Sequence, residues 1–85
     1  MDKDYHIYLQ SLELDKAGDW NGAHELIQDV NSQEASWLHA YLHRKEGDES
    51  NARYWYNRAG QDYCLEELKI EWHQLWRHFS KPTKV

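Results

Sequence analysis

The chain has 85 residues and a formal charge of -5, from 10 Lys and Arg against 15 Asp and Glu. Its length allows one small domain, which buries only about 60% of the surface that its unfolded chain exposes. The acidic balance excludes a general phosphate-backbone binder, so nucleic acid is not an expected partner. No run of about 18 apolar residues and no charged-then-apolar leader is visible, so neither a membrane span nor a secretory signal is expected and the expected setting is cytoplasmic. One cysteine, Cys64, cannot form an internal disulfide or a thiolate zinc cluster, and reads as a small, buried or half-buried hydrophobe. Five Trp and six Tyr gather the apolar area into large amphipathic rings that fill a core with few residues.

The first segment, residues 4–17, places Tyr5, Tyr8, Leu9 and Leu12 at steps of three and four, with Ile7 and Leu14 widening the stripe: an amphipathic helix. Ala17-Gly18-Asp19 is a stop followed by a restart, with glycine past the end of one helix and aspartate capping the next. Trp20, Ala23, Leu26, Ile27 and Val30 then share one face of a second helix over 20–30. Ser32 is the expected cap of a third helix over 33–46, with Glu34 in its first turn and Ala35, Leu38, Tyr41 and Leu42 facing inward. Gly47-Asp48 repeats the stop and restart. A fourth helix over 49–59 turns Ala52, Trp55, Tyr56 and Ala59 to one side. After Gly60, the periodicity of Leu65, Leu68, Trp72, Leu75, Trp76 and Phe79 predicts a fifth helix over 62–79, and Ser80-Lys81-Pro82 opens a tail over 80–85.

Gly18, Asp19 and Ala23 recur 29 positions later as Gly47, Asp48 and Ala52. The chain therefore reads as a single all-α domain of five helices. Two stacked antiparallel hairpins, 4–31 and 33–60, are expected to be copies of one unit, with a C-terminal helix covering the open end. The Gly-Asp-x-x-x-Ala turn, followed in the second copy by Tyr54-Trp55-Tyr56-Asn57-Arg58-Ala59, resembles the second helix of a tetratricopeptide repeat over residues 4–60. The period of 29 is shorter than that family's, which is roughly 34. The string from His39 to Asp48, with Asn51-Ala52 and Tyr54-Trp55-Tyr56, also resembles a group of small helical proteins of uncharacterised function, a likeness that implies no activity.

On a helix turning about 100° per residue, His39, His43 and Glu46 share a stripe beside the Leu38/Tyr41/Leu42 face. Two imidazoles one turn apart can reach one metal ion, and Glu46 is placed as a third ligand or a base. His24, at the flank of the second helix, is positioned to converge with them. The alternative is that these histidines sit at the core margin and hydrogen-bond internally. Arg44, Lys45, Asp48, Arg53 and Arg58 surround the aromatic triplet, either as a recognition surface or as salt bridges around core rings. Trp55 and Tyr56 fit the buried face, whereas Tyr54 points away from it. Arg44 and Arg58 have Glu46, Asp48 and Asp29 as candidate partners.

No Ser-His-Asp or Cys-His order, nucleophile elbow or phosphate-binding glycine loop is present, which argues against an enzyme and against ordinary nucleotide-binding folds. The leading expectation is a non-enzymatic helical-repeat module, monomeric or homodimeric and without a cofactor. It would bind a protein, a peptide or a small ligand through His24, His39, His43, Arg44 and Tyr54. The rival is a divalent-metal protein or a metal-dependent hydrolase, with zinc held by His24, His39, His43 and Glu46. In a third reading, the whole constellation is a structural network.

Overall fold

The computed structural model of the chain describes residues 4–80; the expected tail beyond Ser80 lies outside them. Helix α1 spans Tyr5–Lys16, α2 Trp20–Ile27, α3 Gln33–Glu46, α4 Glu49–Ala59 and α5 Leu68–Phe79, and no strand occurs among the described residues. Over the described residues the fold is all-α with five helices, as the hydrophobic periodicity predicts.

The turns are built from the repeated residues. Gly18 and Gly47 adopt φ of 94° and 88°, the left-handed region that costs a side chain least when it is absent. In each, the glycine N–H donates to a carbonyl one turn back, Asp15 or Arg44, and the following aspartate N–H reaches Leu14 or His43. This Schellman arrangement satisfies carbonyls that the helix end leaves open. The same aspartates then start the next helix, with Asp19 Oδ1 accepting from the Gly22 N–H at 2.9 Å and Asp48 Oδ1 from the Asn51 N–H at 3.3 Å. The 29-residue echo is thus one backbone turn made twice. Ser32 caps α3 by accepting from the Ala35 N–H at 3.0 Å.

Turns this short set neighbouring helices side by side: α1 packs on α2, α3 on α4, and α2 on α3. Small residues set the approach. Ser11 donates to the Ala23 carbonyl at 2.8 Å inside the first pair, and in the second pair Ala40, 29 positions after Ser11, sits with Ala52 and Tyr56 in a separate core cluster. The main core joins Tyr8, Leu12, Ile27, Leu38, Leu42, Leu75 and Phe79, all buried.

Two boundaries differ from expectation. Helix α2 stops at Ile27 because the Val30 N–H bonds the Ile27 carbonyl in a tighter turn, although Val30 still packs on the core. The larger difference is α5, which begins at Leu68, so residues 62–67 are irregular chain and Leu65, expected on the buried stripe, is 91% exposed. Tyr63 is tied to α4 here, its ring 5.1 Å from that of Tyr56 and beneath the Arg53 guanidinium. From there the segment leads to the face where α5 packs on α1 and α3. Leu75 and Phe79 then enter the main core, and the stacked rings of Trp72 and Trp76 lie at its margin. No described helix is long and apolar enough to cross a membrane.

Candidate functional site

Helices α2 and α3 present His24, His39 and His43 to one another. The Nε2 atoms of His24 and His39 are 2.8 Å apart, and one ligand-capable atom from each of the three imidazoles lies within 4.8 Å of the others. His39 and His43, one turn apart on α3, stack with centroids 4.9 Å apart, and His24 meets both edge-on. His39 and His43 are 5% and 7% exposed, and His24 is half-buried at the rim.

Each ring is held from outside the trio. Trp20 stacks on His24 at 4.9 Å, its own Nε1–H donating to the Leu42 carbonyl at 2.8 Å. Trp55 of α4 stacks on His39 at 3.9 Å. Glu46 Oε2 sits 2.8 Å from His43 Nδ1, an atom that then donates to the carboxylate and leaves Nε2 as the free acceptor. Burial, reinforced by His24 and His43, drives the His39 pKa down to about 3, and burial followed by His43 lowers that of His24. Both rings are therefore neutral near pH 7, the form that ligates metals. Asp48 joins His43 and Glu46 in a second, more exposed group.

The other predicted site residues lie apart from this cluster. Arg44 is held by Glu71 of α5, with Nε and one terminal nitrogen 3.2 and 3.1 Å from Oε1. Neither Glu46, Asp48 nor Asp29 is its partner. Tyr54 is 50% exposed, with its hydroxyl accepting from Arg58 at 3.2 Å and its ring edge-on to Trp55. Arg58 therefore lies over the Tyr54 and Trp55 rings and forms no ion pair among the described residues. Cys64 is half-buried beside Arg44, and burial pushes its thiol pKa up, away from the reactive thiolate.

Two buried carboxylates complete the polar interior, and neither stands out in the sequence. Glu71, with no exposed surface, receives the Tyr56 hydroxyl at 2.8 and 2.7 Å from its two oxygens, the Trp37 Nε1–H at 3.1 Å and the Arg44 fork. Burial and the adjacent Glu71 charge raise the Tyr56 pKa, so its hydroxyl keeps the proton it donates. Asp15 accepts from the Tyr41 hydroxyl at 2.7 Å and from Lys45 Nζ at 2.8 Å. A signal for both was available: Asp15 falls between Leu12 and the turn on the first helix, and Glu71 between Leu68 and Leu75 on the last, each within an apolar face. In comparisons with family models, curated proteins and solved structures, none matches this chain.

Proposed function

We propose that the chain is a small, non-enzymatic binding module whose ligand is a divalent transition-metal ion such as zinc, held by His24, His39 and His43. One observation carries this reading: one ligand-capable nitrogen from each of three separate imidazoles lies within 4.8 Å of the others. Tetrahedral coordination with bonds of roughly 2.0–2.1 Å requires ligand nitrogens roughly 3.3 Å apart. The His24–His39 distance of 2.8 Å opens slightly, and separations of up to 4.8 Å within the trio close, to meet it. In the neutral pair one of the two Nε2 atoms carries the hydrogen-bond proton, and that ring would shift to its Nδ1–H tautomer for both Nε2 atoms to ligate.

The surroundings support the same reading. Metal-bound histidines commonly donate their second nitrogen to a carboxylate, which raises ligand basicity and fixes the tautomer. His43 and Glu46 have that relation, so Glu46 serves as an orienting group in place of the ligand expected from spacing alone. Trp20 and Trp55 hold the other two rings by stacking, which leaves little ordering cost at binding. A cytoplasmic setting accords with one unpaired cysteine, and the twice-made turn accords with a tetratricopeptide-like repeat as the scaffold.

Zinc titration of protein purified without tag or chelator tests the assignment. One zinc per chain and a melting temperature raised by more than about 10 °C at a hundredfold excess over Kd are expected, since that excess is worth about 2.7 kcal/mol. His24→Gln, at the half-buried rim, should weaken zinc at least tenfold while the apo protein stays folded. Absence of binding, or an affinity unchanged in the variant, would sink the proposal.

A further inference from the structure

On the other side of α3, where α1, α3 and α5 meet, a cavity of about 280 Å³ is lined by Asp15, Lys16, Tyr41, Lys45, Leu68, Lys69, Trp72 and His73. Every lysine among the described residues lines it: Lys16 from α1, Lys45 from α3 and Lys69 from α5. In a chain with a net charge of -5, three helices thus deliver their lysines to one opening. The one acid in the lining, Asp15, is buried, with one oxygen engaged by Tyr41 and the other by Lys45. Neither Lys16 nor Lys69 forms an ion pair with a carboxylate among the described residues. Leu68 and the Trp72 indole supply apolar lining, the indole Nε1–H being fixed on the Leu12 carbonyl at 3.0 Å. Lys16 Nζ already sits 5.0 Å from the centre of that indole.

We infer that this cavity binds a small organic anion, an apolar body packed against Leu68 and Trp72 that carries a carboxylate or phosphate group between Lys16 and Lys69. Charge explains the head group. Two lysines with no carboxylate partner among the described residues, lining one cleft, attract an anion more strongly than the same charges spread over open surface. The volume, at the low end for ligand sites, restricts the occupant to one or two rings. Lys45 is already committed to Asp15 and contributes field without direct contact. The site shares no residue with the histidine cluster and stands whether or not metal binds there.

The probes are 1-naphthoate, 1-naphthyl phosphate and the neutral 1-naphthalenemethanol, titrated against the full chain by following the Trp72 indole N–H resonance, with Trp72→Phe identifying the signal. At least one anion should shift that resonance saturably. It should bind at least tenfold more tightly than the alcohol and weaken as salt rises. The head group that binds better distinguishes a carboxylate ligand from a phosphate one. The double variant Lys16→Glu/Lys69→Glu changes only exposed residues and should lose the anion at least tenfold while keeping the helical circular dichroism of the parent. Equal binding of alcohol and anions, undiminished binding in the double variant, or no saturable shift by any probe would overturn the inference. If the double variant loses its fold, Lys16→Gln and Lys69→Gln singly replace it, and unchanged anion affinity in both has the same overturning force.

Discussion

His39 shows how a residue type leaves its chemistry open until its neighbours are known. Its ring lies between Trp55, His24 and His43, with almost no access to water. Protonation would place a charge where nothing solvates it, so its pKa falls from 6.5 to about 3. The unfolded chain therefore binds a proton between these values that the folded chain refuses. Stability is complete above pH 6.5 and declines as pH falls toward 3, at about 1.4 kcal/mol per unit from this residue. His24, lowered in the same direction, steepens the decline. Urea midpoints at pH 7.5, 5.5 and 4.5 should drop progressively, and more gently in His39→Gln than in the parent. An equal slope in both would refute the assignment of this titration to His39.

At the scale of elements, the contrast between α5 and the segment before it sets periodicity against packing. Leu65 and Leu75 belong to the same three-four pattern, yet Leu65 is solvated and Leu75 is buried in the main core. Leu65→Ser should change stability by less than about 0.5 kcal/mol. Leu75→Ala should cost about 2–5 kcal/mol through lost transfer energy and the cavity left behind. Denaturant unfolding of the two variants measures this, and comparable losses would contradict the late start of α5. The first four helices were legible to within a few residues because glycine, aspartate and serine mark their ends. Within residues 61–67 Asp62 offers such a mark but starts no helix, and the ring contact between Tyr63 and Tyr56 holds the segment on α4.

For the molecule as a whole, Glu71 is the joint. It gathers Trp37 and Arg44 from α3 and Tyr56 from α4 onto a carboxylate of α5, so three helices share one buried charge. Removing the carboxylate leaves the Arg44 charge and two ring donors without their acceptor. Glu71→Ala should therefore cost about 3–5 kcal/mol, a large part of the stability of a domain this small. Glu71→Gln, which keeps an acceptor and the volume, should cost less. Unfolding midpoints equal to the parent's in both variants would show that the network contributes nothing.

The sequence by itself determined the helical class, the repeated turn, the caps and the inward faces of α1 to α4, because each depends on interactions within a few residues. It also indicated which histidines share a side, since residues one turn apart on a helix are neighbours by geometry. Only the tertiary structure decided that His24 meets His39, that Glu46 turns to His43, that Arg44 belongs to Glu71 and that three lysines face one cavity. Those are contacts between helices. They depend on the approach and rotation of whole elements, which many side chains set together and no short pattern encodes.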